Sequence, residues 1–214
     1  MACMLGCDPD ATAPDPVPGE PPATGECERG EHPVGFAACV DAFEPAAPAS
    51  FGHDAMPDVV LGAPRPATAG GSTDVASLGC GGVVTLGFPD GVPNGPGADF
   101  IVFENAFDFA DGTFVEPAEL RVSDDGATWF AFPCDLDTLD GCAGVTPTDP
   151  GAAAMPRNAE TAGGDAFDLD EVGLARTRWV RMVDRTREHY GDDKWCAGAG
   201  AGFDLDAIAQ VYDP

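Results

Sequence analysis

Short stretches in which apolar and polar residues alternate dominate the sequence. Residues 84–88 (VTLGF) show the period-two pattern of a strand with one buried face. Residues 100–103 (FIVF) are continuously apolar, which predicts a strand that is covered on both sides. Residues 120–123 alternate again, and the Asp-Asp-Gly sequence at 124–126 predicts a tight turn into a strand at 129–132. These last three segments therefore predict a β-hairpin.

Further short strands are predicted at residues 38–43, 178–183 and 207–212. Few windows show helical periodicity, and the 28 glycines and 21 prolines disfavour long helices. Residues 1–37 are rich in Pro, Ala, Asp and Glu and have no apolar periodicity, which predicts a disordered tether. We therefore predict an all-β protein, a two-sheet β-sandwich over residues 38–214, because single sandwiches often reach roughly 200 residues.

The chain is strongly acidic. It has 37 Asp and Glu residues against 10 Lys and Arg residues, a formal net charge of −27, and Lys194 is its single lysine. Nucleic-acid binding needs a basic face, so this balance argues against a nucleic-acid partner and against an anionic membrane surface. Excess carboxylate repels itself, which predicts that bound cations help folding. The alternative is that the acidity only confers solubility.

The eight cysteines include no CxxC pair, which disfavours zinc. Their even number and their position among Gly- and Pro-rich turns favour disulfides and an oxidising compartment, hence export. The preferred pairs are Cys27 with Cys39 and Cys134 with Cys142, which close short loops, and Cys80 with Cys196. Six cysteines allow many other pairings, so the connectivity stays open.

The N-terminal residues 4–7 (MLGC) resemble the end of a bacterial lipoprotein signal, in which a small residue precedes a lipidated cysteine. This resemblance implies a lipid anchor at Cys7 and a location at the cell surface or in the outer membrane. The alternative is that Cys3 and Cys7 are ordinary thiols of the tail. No run of about 18 apolar residues is present, so no transmembrane segment is predicted.

Several motifs in a fixed order resemble a family of secreted bacterial cell-surface proteins. They are LGCGGVVTLGF (78–88), DGVPNGPGADFIVFENAF (90–107), VSDDGATW (122–129), GGDAFDLDEVGL (163–174) and GFDLDAI (202–208). The resemblance implies that the protein is exported and has the fold of this family, and it says less about an activity. The strand order is also similar to that of the discoidin-type, galactose-binding-like jelly roll. That similarity implies glycan or lipid binding through loops at one end, together with a structural calcium ion.

Acidic and amide side chains flank the predicted strand of residues 100–103. Asp99 precedes this strand, and Glu104 and Asn105 follow it. Oxygen ligands of this kind beside glycine turns favour calcium. The two ends of the strand are roughly 17 Å apart at ~3.3 Å per residue, so they cannot share one ion. Asp99 is therefore a second site or a turn residue.

A repeated Phe-Asp-Leu-Asp sequence occurs at 167–170 and 203–206. Each copy is expected to direct its apolar pair to the core and its two aspartates to the other face. Neighbouring carboxylates repel unless a cation joins them. We therefore predict a calcium site in which Glu104 or Asn105 meets Asp168 or the pair Asp204 and Asp206. The alternative is that these aspartates face water or cap turns.

A basic and aromatic segment lies at residues 176–195. Arginine and aromatic side chains suit carboxylated sugars or peptides, so this segment predicts a ligand-binding loop with Arg187, Tyr190, Lys194 and Trp195. The alternative is that the arginines neutralise nearby carboxylates and that Trp195 packs beside a Cys80–Cys196 bridge.

Motifs of catalysis are missing from the sequence: it has no GxSxG, HExxH, Walker or dinucleotide-binding motif. We therefore predict a calcium-stabilised surface protein that binds a glycan or another surface ligand and is not an enzyme. One alternative is a purely structural surface protein. Another is a secreted carbohydrate-active hydrolase that uses an Asp/Glu pair.

Overall fold

The computed structural model describes residues 14–65, 74–109, 112–149 and 154–213, with the backbone alone at 107–109. Among these residues eleven strands follow in chain order: β1 (Cys39–Glu44), β2 (Ala76–Ser77), β3 (Val83–Pro93), β4 (Phe100–Glu104), β5 (Phe107–Phe109), β6 (Gly112–Phe114), β7 (Ala118–Ser123), β8 (Phe130–Ala131), β9 (Asp165–Phe167), β10 (Arg176–Asp184) and β11 (Asp204–Gln210). Helical structure in the same residues is limited to α1 (Thr186–Tyr190) and the 3₁₀ turns His53–Ala55, Asp58–Val60 and Leu169–Val172.

The strands form two antiparallel sheets and one separate hairpin. The first sheet has the order β1-β3-β10-β7-β8, the second has the order β2-β11-β4-β9, and β5 pairs with β6. The predicted all-β, two-sheet sandwich is confirmed, and so is the hairpin of β7 and β8.

The main core lies between the two sheets and contains alternate residues of their strands. Strand β3 contributes Val84, Leu86 and Phe88, all at most 1% exposed, as their alternation predicts. Strand β4 contributes Phe100 and Val102 from the other sheet. A residue pattern of period two therefore decides which face of each sheet is buried.

Strand β4 is buried on both faces. Its other two apolar residues, Ile101 and Phe103, pack in a second cluster with Phe36, Ala207 and Ala209. The continuous apolar sequence of this strand is thus explained by cover on both sides, as predicted.

Strand β11 begins three residues earlier than predicted, at Asp204, and ends at Gln210. Its pairing with β4 shifts register between Leu205 and Ala207, so Asp206 lies in a β-bulge. Phe203 and Leu205 are fully buried in the main core, as the repeated Phe-Asp-Leu-Asp pattern predicts.

All three preferred disulfides are confirmed. Cys27–Cys39 and Cys134–Cys142 close local loops, and Cys80–Cys196 joins residues 116 positions apart. Cys3 and Cys7 lie outside the described residues, and so does the predicted lipidation of Cys7.

The later part of the segment assigned to the tether runs along the first sheet. The backbone N–H of Val17 donates to the carbonyl of Trp129 at 2.8 Å, and that of Ala23 donates to Gly126 at 2.7 Å. Glu20 forms ion pairs with Arg121 and Arg181, which project from the face of β7 and β10 that is turned away from the core. Composition alone predicts no contacts of this kind.

Candidate metal centre

Three buried acidic residues meet where the second sheet adjoins the β5–β6 hairpin. Glu104 is the last residue of β4, and Asp204 is the first residue of β11, whose Leu205 pairs with Glu104. Glu116 lies between β6 and β7. One carboxylate oxygen of each residue lies within 4.8 Å of the others. We call these three residues the acidic triad.

The acidic triad is almost fully removed from water. Glu104, Glu116 and Asp204 are 4%, 5% and 9% exposed. The Oε2 atom of Glu104 is buried without a hydrogen-bond partner, while its Oε1 accepts from the backbone N–H of Asp204 at 3.3 Å. None of the ion pairs among the described residues involves the triad. An unpartnered buried carboxylate oxygen is costly, so the site fits a bound cation.

Burial raises the pKa of every member of the acidic triad, because a charged carboxylate loses its hydration. It raises the pKa of Glu116 to about 9, and the nearby charges of Asp204 and Asp184 add to the effect. It raises the pKa of Asp204 to about 6. The pKa of Glu104 lies well above its usual range, because of burial and then the charges of Asp204 and Glu116. A divalent cation would reverse this balance by favouring the ionised forms.

Neighbouring groups hold the acidic triad in place. The Ser77 hydroxyl donates to Oδ1 of Asp204, and the side chain of Asn105 hydrogen-bonds to the same carboxylate. The backbone N–H of Gly202 bonds to Glu116. These contacts come from strand β2 and from the residues that adjoin β4 and β11, so both edges of the site are fixed by the sheet.

The spacing of the acidic triad suits a metal ion. Two oxygens bound to one calcium ion at ~2.4 Å are at most ~4.8 Å apart, and the three carboxylate oxygens meet this limit. The donors are carboxylate oxygens with no histidine or cysteine among them, which favours a hard cation. The buried triad can therefore hold a metal ion.

The structure brings together three of the six predicted metal ligands: Glu104, Asn105 and Asp204. Asp168 lies near the other end of β4, since Phe167 pairs with Phe100. Its Oδ1 accepts from the backbone N–H of Asp170 and caps the 3₁₀ turn at 169–172. In this copy of the repeat Asp168 therefore caps a turn, and the exposed Asp170 accepts from the Asn94 side chain at 2.8 Å.

Asp99 and Asp206 bind backbone groups elsewhere. Asp99 accepts from the backbone N–H groups of Gly95 at 2.6 Å and Leu169 at 2.7 Å, which shapes the turn before β4. Asp206 accepts from the backbone N–H of Arg65 at 3.1 Å and is 3% exposed. Burial raises the pKa of Asp206 to about 7.

Glu116 belongs to the site but was not predicted from the sequence. The signal that could have found it is the hairpin itself, where aromatic residues at 107, 109 and 114 flank an Asp-Gly turn sequence at 111–112. Phe107 pairs with Phe114, so the hairpin brings together the chain segments that contain Glu104 and Glu116.

A cleft of about 600 Å³ lies beside the acidic triad. We call it the aromatic cleft; its lining includes Thr113, Phe114, Val115, Tyr190, Lys194 and Trp195. The ring centroids of Phe114 and Trp195 are 4.7 Å apart, and Nζ of Lys194 lies 4.3 Å from the centroid of the Trp195 ring. The Tyr190 hydroxyl donates to the carbonyl of Val115 at 2.9 Å.

The structure brings together three of the four predicted ligand-binding residues, Tyr190, Lys194 and Trp195. Arg187 does not line the aromatic cleft. Its Nε donates to Oδ1 of Asp193 at 2.6 Å, so it neutralises a nearby carboxylate, as the alternative interpretation expects. The cleft therefore contains aromatic faces, one lysine, His189 and the Asp192 carboxylate, without an arginine fork.

No known family model matches this chain, and no curated protein matches it. Among the described residues, no helix is both long and apolar enough to cross a membrane.

Proposed function

We propose that this protein is an exported cell-surface β-sandwich that is stabilised by calcium and binds a glycan or another surface ligand without transforming it. The observation that carries the proposal is the acidic triad with its unpartnered buried oxygen on Glu104. Three disulfides support an oxidising compartment outside the cytoplasm.

Calcium suits this site better than magnesium. Magnesium keeps several waters in a strict octahedron, whereas calcium accepts six to eight oxygens in a flexible arrangement. The triad residues are at most 9% exposed, which leaves little access for a hydrated ion. The side-chain N–H of Asn105 donates to the Asp204 carboxylate and so helps to hold this ligand ionised.

The aromatic cleft supports the binding role. Sugar rings pack against aromatic side chains, and Lys194 can pair with a carboxylated sugar. A glycosidase would need both carboxylates to reach a glycosidic bond. Only 4% of Glu104 and 5% of Glu116 is exposed, which favours a binding role over the hydrolase alternative.

Calcium titration by calorimetry, with melting curves in calcium and in EDTA, tests the metal site. We expect binding heat, and at 100 times the dissociation constant about 2.7 kcal/mol of added stability. Glu104→Gln should remove most of this response, whereas the exposed Asp54→Asn should keep it. An absence of heat together with equal melting temperatures in calcium and EDTA would contradict the calcium proposal.

A glycan array and a panel of chromogenic glycosides test the ligand role. Binding that Trp195→Ala abolishes, without turnover, supports the binding protein. Turnover that is lost on replacement of one acidic residue would support the hydrolase. An empty array with a calcium-dependent melting temperature would instead support a structural protein.

A further inference from the structure

Residues on both sides of the β5–β6 hairpin belong to the acidic triad. Glu104 precedes the hairpin and Glu116 follows it, and the strands between them pair from Phe107 with Phe114 to Phe109 with Gly112. A cation bound by Glu104 and Glu116 would therefore hold the base of the hairpin closed. Asp204 would tie this base to β11, which lies between β2 and β4 in the second sheet.

The same hairpin forms one wall of the aromatic cleft. Thr113 and Phe114 of β6, with Val115 after it, line the cleft. Phe114 contacts Trp195 edge-on, and the Val115 carbonyl accepts from the Tyr190 hydroxyl. Val115 directly precedes Glu116, so a single peptide unit separates a cleft contact from a triad ligand.

Without a cation, an ionised acidic triad opposes this arrangement. Three carboxylates within 4.8 Å of one another repel when they are ionised. While the triad stays ionised, movement of Glu116 relieves the repulsion, because Glu104 and Asp204 belong to paired strands and Glu116 lies between strands. Such a movement would carry Val115 and Phe114 with it.

We propose that cation binding at the acidic triad and ligand binding in the aromatic cleft are coupled through the β5–β6 hairpin, which makes the cleft a calcium-dependent binding site. This inference rests on the calcium site of the proposed function. The coupling is reciprocal: calcium raises the affinity of the cleft for a ligand by the same factor by which that ligand raises the affinity of the triad for calcium. The contacts within the cleft should likewise raise the affinity for calcium.

The two tyrosines of the chain allow a matched test with calcium as the only probe. Tyr190→Phe removes the hydroxyl that holds Val115. Tyr212→Phe removes the corresponding bond to the Pro96 carbonyl, away from the hairpin. By calorimetry we expect Tyr190→Phe to weaken calcium binding roughly fivefold, the effect of one hydrogen bond. Tyr212→Phe should bind calcium like the unaltered protein.

Hydrogen–deuterium exchange of the full chain supplies the second readout. Calcium should slow exchange at residues 112–116 and also at residues 186–196, and in Phe114→Ala it should slow only the first segment. The coupling is overturned if Tyr190→Phe binds calcium with unaltered affinity and residues 186–196 exchange equally in calcium and in EDTA. The metal site still stands in that case, provided that calcium binds and raises the melting temperature. If calcium gives no heat at all, the proposed function itself fails.

Discussion

Glu104 and Glu116 flank the β5–β6 hairpin, and carboxylate oxygens of the two buried residues approach within 4.8 Å. Neither residue has an ion-pair partner among the described residues. A pair of this kind lowers the stability of the cation-free protein and raises the affinity of the protein for a cation. The two effects can be separated experimentally.

Glu116→Gln should stabilise the protein in EDTA and destabilise it in saturating calcium. Glutamine keeps the size and the acceptor for the Gly202 N–H, and it needs neither a charge beside Asp204 nor the proton that burial imposes on Glu116. At pH 8 in EDTA we expect a gain of about 1–3 kcal/mol, measured by urea unfolding. Asp54→Asn is the control for loss of an exposed charge. Equal loss of stability in both conditions would contradict a cation site.

Glu20→Gln should destabilise the sandwich. Glu20 pairs with Arg121 and with Arg181, whose side chain is 3% exposed and packs 3.9 Å from the centre of the Trp129 ring. Removal of its charge leaves the Arg181 guanidinium buried and without its carboxylate, at a cost of about 2 kcal/mol or more.

The exposed Glu28→Gln serves as the control for Glu20→Gln and should change the free energy of unfolding by less than about 0.5 kcal/mol. Limited proteolysis gives a second measurement: residues 14–31 should be cleaved faster in Glu20→Gln. Equal cleavage and equal stability in the two variants would show that this segment is only loosely attached.

The disulfides should contribute unequally to stability. The chain-entropy model assigns about 5 kcal/mol to Cys80–Cys196, which closes a separation of 116 residues, and about 3 kcal/mol to Cys27–Cys39, which closes 12. We therefore expect the double variant Cys80→Ala/Cys196→Ala to lose more stability in urea unfolding than Cys27→Ala/Cys39→Ala. The reverse order would indicate that local contacts of the N-terminal segment dominate.

Asp206 should make stability depend on pH. Burial raises its pKa to about 7 in the folded protein from 3.8 in the unfolded chain, so the folded state binds the proton more tightly. The destabilising contribution of this residue is absent below pH 4, grows as the pH rises and is complete above pH 7. It amounts to at most about 4 kcal/mol.

Asp206→Asn should flatten this dependence, because asparagine keeps an acceptor for the Arg65 N–H and does not titrate. The measurement is the difference in free energy of unfolding between Asp206→Asn and the unaltered protein from pH 4 to pH 8, in saturating calcium. The variant should be the more stable of the two at pH 8. A difference that does not change with pH would show that Asp206 keeps an ordinary pKa.

Local patterns were sufficient to predict much of the fold. The alternation at 84–88 and at 120–123, and the continuous apolar run at 100–103, predicted strands and their buried faces. The reason is that side-chain direction in a strand depends only on position along it. Two disulfide pairs were also anticipated from their short loops, and Cys80–Cys196 was the pair that remained, although spacing could not exclude other pairings.

Tertiary structure decided which of the predicted ligands meet at the candidate site. Sequence spacing separated Asp99 from Glu104, and this separation is borne out by their different partners. It could not distinguish Asp168 from Asp204, because both occur in the same Phe-Asp-Leu-Asp sequence. Strand register makes the difference: Leu205 pairs with Glu104, whereas Phe167 pairs with Phe100 at the far end of β4.

The sequence by itself thus determined the all-β class, the faces of the strands and the acidic, oxygen-rich chemistry. The tertiary structure decided which acids meet, because strand register and hairpin closure bring residues together across distances that local periodicity does not encode. Glu116 shows this most directly. Only the paired hairpin places it against Glu104, and only that closure sets Phe114 and Val115 opposite Tyr190 and Trp195.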